Sequence, residues 1–368
     1  MKKNIFFVER LDETTGWGTL SLNYIKKLNP ENVLIFCNKK NLSLSYDQFD
    51  VLPDVNSLIR NPLKIFYKIT RIRNIIKKLG EDYDLFSHFT VEPYVIYLPL
   101  INFFKKNFYY AIGTYSSELY LTKKTKFLFW LSIKLIDKVI YFSSYTKKKV
   151  LNIPFFTKKE GLIINPVIYP LKYENYDFKK YDDITMLSVG MLKARKGYLN
   201  LIEVMNILVN KENKKFKLNI VGKSNDKNYD DLLFLKIKEY KLEKFVKILT
   251  EINDHQLNEM YKKSHLFILL SEDQKNHFEG FGIVYLEALS FNLPIIVSNQ
   301  TGAKDLKSVS NKIYFVDPKD YYTVSNLICD HFLDYFSRDL KNEYVGILDI
   351  YNHINDKKIS EFYKKELV

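Results

Sequence analysis

The chain has 368 residues and a formal charge of +13, from 56 Lys and Arg against 43 Asp and Glu, with 46% of residues hydrophobic and 15% aromatic. This is too apolar for a disordered chain and long enough for two cores, so two domains are expected. The two distant cysteines, Cys37 and Cys329, exclude a disulfide scaffold and a cysteine-rich metal site.

The first apolar run, Ile5 to Val8, is four residues long and stops at Glu9 and Arg10. It reads as a first strand, not as the apolar segment of a leader. Gly16 and Gly18 follow, then Leu20, Leu22, Ile25 and Leu28 at helical spacing, and then a second strand, Val33 to Cys37. Ile65, Ile69, Ile72, Ile76 and Leu79 mark a helix whose other face carries Lys64, Lys68, Arg71, Arg73, Lys77 and Lys78. This pattern is compatible with a helix lying in a membrane interface or with one covering a sheet. Further strands are predicted at Leu85–Phe86, Phe108–Ile112 and Lys138–Phe142, with a helix over Phe127–Leu135. The longest apolar stretch, Tyr94 to Phe104, is broken by Pro99 and Asn102 and is shorter than the roughly 20 residues of a spanning helix.

A polar segment from Tyr173 to Asp183 reads as a linker. Strands and helices then alternate. Strands are predicted at Ile184–Val189, Lys217–Val221, Val246–Leu249, Leu266–Leu270 and Pro294–Ser298. Helices are predicted at Tyr198–Val209, Tyr229–Tyr240, His255–Lys262 and Gly282–Leu289. Such alternation specifies a doubly wound parallel sheet. The expected architecture is α/β, with two Rossmann-like doubly wound domains, 1–170 and 184–350, facing a central cleft. A C-terminal helix around 355–368 is expected to pack back on the first domain.

Charge is segregated along the chain. Residues 1–170 carry 26 basic and 14 acidic side chains, and 101–150 alone carry ten lysines against Glu118 and Asp137. A solubility role does not require this asymmetry; an anionic partner does. An anionic membrane surface suits it best, approached by Phe103-Phe104-Lys105-Lys106 and by Lys123 to Leu135. Nucleic acid is not expected, because no nucleic-acid motif coincides with the basic residues. The protein is expected to be cytoplasmic and peripheral on the cytoplasmic face of the membrane.

In parallel sheets ligands gather at the C-terminal ends of strands. After Val8, Gly16 and Gly18 lead into a helix and suit an anion held by backbone amides. After Val189, Lys193, Arg195 and Lys196 crowd between Gly190 and Gly197, a composition that clamps phosphates. After Leu270, Glu279-Gly280-Phe281-Gly282 precede a helix whose one acid is Glu287. Carboxylates there can accept hydrogen bonds from sugar or ribose hydroxyls. After Ser298, Thr301 and Gly302 offer small residues for close ligand contact.

Taken together, Val189-Gly190 to Lys196-Gly197, Glu279-Gly280-Phe281-Gly282 with Glu287-Ala288, Asn292-Leu293-Pro294 and Thr301-Gly302 resemble the retaining GT-B glycosyltransferases of family GT4, glycosyl transferases group 1. The resemblance is dense over about 184–320 and looser before it. It implies a hexosyltransferase that takes a nucleotide-sugar donor mainly on the second domain and an acceptor mainly on the first. It implies retention of anomeric configuration and no metal or other cofactor. Lys196 corresponds to the family lysine, with Arg195 beside it for the diphosphate; Glu279 would face the donor sugar and Glu287 the ribose. Gly16, Gly18, Gly190, Gly280, Phe281, Gly282, Thr301 and Gly302 complete the expected donor site. Met191 stands where the family commonly has arginine, and the family's histidine near the donor sugar has only His88 as a candidate here. The acceptor is expected to be a saccharide, lipid-linked or part of a cell-surface glycan. The competing readings are a catalytically degenerate GT-B partner subunit and a polyanion-binding protein.

Overall fold

A computed structural model of the chain describes residues 2–8, 11, 18, 21–22, 25–26, 30–52, 63–91, 94–100, 108–112, 123–153, 161–168, 178–211, 216–274, 277–332 and 343–366. The chain divides into two compact units, Met1–Ile168 with Ile354–Val368, and Tyr169–His353.

The first unit is built on a parallel sheet of β1 (Lys2–Phe7), β2 (Val33–Cys37), β3 (Asp47–Asp50), β4 (Asp84–Val91), β5 (Phe108–Ile112), β6 (Lys138–Tyr141) and β7 (Gly161–Ile163), in the order β3-β2-β1-β4-β5-β6-β7. Strand β2 is apolar throughout, as a strand covered on both faces must be, and all five of its residues are buried. Among the described residues, helices α1 (Leu63–Asp82), α2 (Lys123–Leu135) and α3 (Ser144–Val150) accompany this sheet. Helix α1 settles one of the alternatives left by its sequence. Ile69, Ile72 and Ile76 are buried while Arg71, Arg73, Lys77 and Lys78 are exposed. Its apolar stripe is therefore spent on the core of its own unit, and its cations are a solvated outer face. The Phe103 to Lys106 segment lies outside the described residues.

The second unit repeats the plan with β8 (Thr185–Val189), β9 (Lys217–Val221), β10 (Val246–Leu249), β11 (Leu266–Leu269), β12 (Ile295–Ser298) and β13 (Tyr314–Val316), ordered β10-β9-β8-β11-β12-β13 and parallel throughout. Its helices are α4 (Tyr198–Asn206), α5 (Lys227–Glu239), α6 (Asp254–Lys263), α7 (Ile283–Ser290) and α8 (Tyr321–Leu327). Strands β8, β11 and β12 are buried at every residue and form the centre of this core. In both sheets the strand order reverses once, between β1 and β4 and between β8 and β11. Those two reversals open the crevices where ligands of doubly wound sheets sit.

Helix α9 (Glu343–Glu366) is the last element. Its first half belongs to the second unit, where Tyr344 N–H donates to Asn292 Oδ1 at 2.9 Å. Its second half belongs to the first unit and buries Ile359 and Phe362. Among the described residues no helix is long and apolar enough to cross a membrane.

The segment entering the second unit is pinned to it. Lys180 Nζ donates to the Ser264 carbonyl at 2.8 Å, and Thr185 N–H donates to His265 Nδ1 at 3.1 Å. Burial, followed by the nearby Lys180 charge, draws His265 down to about 4. A base that burial keeps neutral weakens the fold at pH values where only the unfolded chain binds the proton. Stability is therefore expected to fall by about 1 kcal/mol, after discounting for partial exposure, as pH drops from 6.5 to 4. Urea titrations across that range check this, and in His265→Ala the slope should flatten.

Candidate functional site

The richest cluster of candidate residues stands at the β8/β11 crevice. The loop after β8 turns at Gly190 (φ 154°) and runs into a short 3-10 turn, Ala194–Lys196, that ends at Gly197 (φ 71°). Two close approaches fix this loop. A side chain on Gly197 would run into the Leu270 carbonyl, and one on Gly222 into the Gly190 carbonyl. Glycine is required at both places because backbone, which cannot swing aside, occupies the space. Tyr198 O–H donates to the Gly190 carbonyl at 2.6 Å, and the Arg195 carbonyl accepts from Glu272 N–H at 2.9 Å. The two cations thus ride on a turn fastened at both ends.

They converge on one atom. Arg195 Nη1 and Lys196 Nζ each lie 2.6 Å from Glu279 Oε2. Glu279 arrives from the opposite side of the crevice, on the stretch that links β11 to α7. Its backbone bridges Thr301 in parallel register, and its carbonyl accepts from Gly302 N–H at 3.1 Å. Burial pushes the Glu279 carboxyl up, but Lys196 and then Arg195 outweigh it and hold the group at about 2. Burial draws the Lys196 ammonium down, and Glu279 opposes that shift. Two cations against one carboxylate leave a surplus positive charge in a nearly dry place. Such a site is primed for a further anion.

Helix α7 starts at Gly282 (φ 88°) and α4 at Gly197, both without a side-chain cap. By contrast α5, α6 and α8 are capped by Asp226, Asn253 and Asp320. Neither crevice helix therefore has a side chain on its N-terminal amides, and in α7 Tyr285 N–H donates to the Gly282 carbonyl at 3.1 Å.

Glu287 lies within α7, five residues after Gly282. It accepts from Tyr261 O–H at 2.9 Å, and burial raises its carboxyl despite that bond. One hydrogen bond oriented by a buried tyrosine fixes the carboxylate and leaves its other lone pairs for a hydroxyl partner.

Arg195 and Lys196 thus meet the Glu279 carboxylate, Thr301 and Gly302 meet the Glu279 backbone, and Gly190 lies beside the Lys196 side chain, with Gly280 buried next in the chain. Phe281 turns its ring against Tyr351 of α9, at a centroid distance of 6.0 Å. His88 lies on β4, opposite Ile5 and Phe108 in register. Gly18 is helical and buried, and Gly16 lies outside the described residues. The sequence reading missed Tyr198, Tyr261 and Glu272. Tyr198 could have been noticed as a hydroxyl directly after the glycine of a phosphate-type loop. For Tyr261 and Glu272 the partners are distant in sequence, and no local signal marks them. Among the described residues no group of three or more His, Cys, Asp or Glu could hold a metal ion.

Residues 174–339 match the family described as glycosyl transferases group 1. Comparison with curated protein sequences finds no match. Solved structures are similar over nearly the whole chain. A sucrose-phosphate synthase from Thermosynechococcus elongatus has a TM-score of 0.70 at 16% identity, covering 99% of each chain. A glycosyltransferase from Rickettsia africae ESF-5 has a TM-score of 0.70 at 17% identity, covering 99% of this chain and 98% of that one. Anabaena Alr3699/HepE, in complex with UDP and glucose, has a TM-score of 0.68 at 14% identity, covering 99% of this chain and all of that one (100%). At such identities the likeness establishes the fold, which is GT-B.

Proposed function

We propose, from the match of residues 174–339 to the glycosyl transferases group 1 family, that the second unit binds the nucleotide-sugar donor with the diphosphate on Lys196 and Arg195. The enzyme is a glycosyltransferase that moves a sugar from such a donor to an acceptor. The observation that carries the site assignment is the convergence of the two cations at 2.6 Å on a buried oxygen at the strand-order reversal. As the bond from sugar to diphosphate breaks, negative charge grows on the departing phosphate. Cations already fixed in a dry site stabilise that charge without reorganising. Uncapped amides at the start of α7 add to this. Glu287 takes the ribose hydroxyls and Glu279 the donor sugar. The departing phosphate oxygen accepts the acceptor's hydroxyl proton, and anomeric configuration is kept.

The test is thermal unfolding with UDP-, GDP-, ADP- and CMP-sugars, with UDP sugars first because HepE holds UDP. A donor at a hundred times its Kd should stabilise the protein by about 2.7 kcal/mol. The shift should vanish in Lys196→Met. No shift with any member would remove the donor-site reading.

The acceptor proposed is a saccharide carried at an anionic membrane, and the first unit is the acceptor side. Support comes from the charge segregation and from helix α2. There Phe127 is 64% exposed and stacks on Trp130 at 5.8 Å, while Lys134 Nζ sits 3.8 Å over the Trp130 ring. An aromatic pair with cations beside it suits a lipid headgroup layer. Vesicles containing phosphatidylglycerol should sediment the protein at low salt, and phosphatidylcholine vesicles should not. Equal behaviour with both would end this part of the proposal.

A further inference from the structure

This inference rests on the donor-site reading above and concerns what fills that site before the donor arrives. Arg195 and Lys196 do not wait as free cations: both lie 2.6 Å from Glu279 Oε2. The side chains of Lys196 and Glu279 are 9% and 10% exposed, so the pair is largely shielded from water. One oxygen drawing in an ammonium and a guanidinium makes the contacts that a phosphate oxygen would make. The Glu279 backbone is fixed by its bridge to Thr301 and by Gly302 N–H at 3.1 Å. Only the side chain is able to withdraw.

We propose that Glu279 is an internal stand-in for a donor phosphate, holding both cations in the unliganded protein and yielding them when the diphosphate binds. Donor binding is then an exchange of anions, not an addition of one. The exchange has a consequence for protons. A diphosphate brings two negative charges to a cluster whose surplus is a single positive one. With Glu279 still ionised the shielded site would be left with a net negative charge.

The groups around Glu279 show what happens instead. Arg195 and Lys196 face it from the turn before α4, Tyr198 from α4 and Tyr285 from α7, while Glu287 of α7 acts on Lys196. Burial raises both tyrosines, so they stay neutral and cannot replace a lost cation. Burial also pushes Glu279 up, and the two cations hold it down. Once they turn to phosphate, burial prevails and the carboxyl takes a proton from solvent. The neutral carboxyl no longer repels the diphosphate and turns to the donor sugar.

The experiment is calorimetry of the wild-type protein with whichever of UDP-, GDP- or ADP-glucose gives the largest thermal shift. These diphosphates carry no exchangeable proton near neutrality. Titrations run in PIPES, HEPES and Tris at one pH, and the slope of heat against buffer ionisation enthalpy counts protons. Uptake approaching about one proton per donor at pH 6, shrinking as pH rises, is expected from linkage. A second measurement uses Glu279→Gln, which keeps the shape and removes the competing charge. If Glu279 holds the cations nine-tenths of the time, the variant should bind free UDP, GDP or ADP about tenfold more tightly. Should that variant fail to fold, the wild-type proton count decides alone. Donor binding with no proton uptake at pH 6 overturns the exchange while leaving the donor site standing. No binding by any of the three sugars overturns both.

Discussion

Replacing Lys196 with methionine is expected to lower kcat/KM by on the order of 10³-fold, the upper range for removing one fixed charge-stabilising donor. Methionine keeps most of the stem, which matters because Lys196 Cε already lies 3.2 Å from where a Gly190 side chain would begin. The loss therefore measures the charge and not the packing. The same variant has a stability signature. In the wild type Glu279 is depressed from 4.5 to about 2, so its contribution of about 3 kcal/mol is present above pH 4.5 and lost as pH falls through 2. Without Lys196, burial is opposed by Arg195 alone, the carboxyl rises, and the loss on acidification moves to higher pH. Denaturant midpoints from pH 7 to pH 3, with steady-state kinetics on the same samples, read both effects. Unchanged kinetics alongside a shifted acid transition would make Lys196 a structural ion-pair partner and nothing more.

Gly197→Ala is expected to destabilise the second unit by about 3 kcal/mol or more. Two penalties combine. The backbone sits at φ 71°, a left-handed conformation that costs an L side chain roughly 1 kcal/mol. The new methyl group would also meet the Leu270 carbonyl, backbone at the end of β11 that cannot turn aside. Relief requires pushing the turn carrying Arg195 and Lys196 away from β11, so donor binding should fall along with stability. Gly346→Ala is the matched control. That glycine lies within α9, and a side chain there meets nothing within 4 Å. It should stabilise the protein by about 0.5–1 kcal/mol, because alanine gives up less backbone freedom in a helix. Urea unfolding of the two variants should therefore shift in opposite directions. Equal midpoints would mean that the chain does not approach Leu270 as closely as described.

Much of this architecture can be read from the chain because its central strands are buried on both faces. Val33 to Cys37 and Pro294 to Ser298 are continuous apolar runs bounded by turn residues, and they lie where such runs predict. Edge strands escape that logic. Strand β3 is Asp47-Gln48-Phe49-Asp50, with both ends exposed, and β7 is three residues with its middle one exposed. Neither offers a period to detect, and both exist because a neighbouring strand supplies the pairing. The site divides in the same way. Lys196, Arg195 and Glu279 stand out by composition between glycines. That both cations choose one oxygen of Glu279 depends on how β8 and β11 lie side by side, and no spacing encodes it. The tyrosines are harder still, since 28 are scattered through the chain and only the fold shows that two of them aim hydroxyls at site atoms.

The division of α9 between units bears on biosynthesis. Residues 169–353 form the second unit without interruption, whereas the first needs both 1–168 and 354–368. A ribosome therefore synthesises everything the second unit requires before it makes Ile359 and Phe362, which belong in the core of the first. At bacterial or eukaryotic elongation rates of about 5–20 residues per second, the earlier-made sheet waits on the order of ten seconds or longer for its last helix. During that interval its unfinished apolar surface is the part of the nascent chain most in need of a chaperone, and the half that begins first is the half that finishes last.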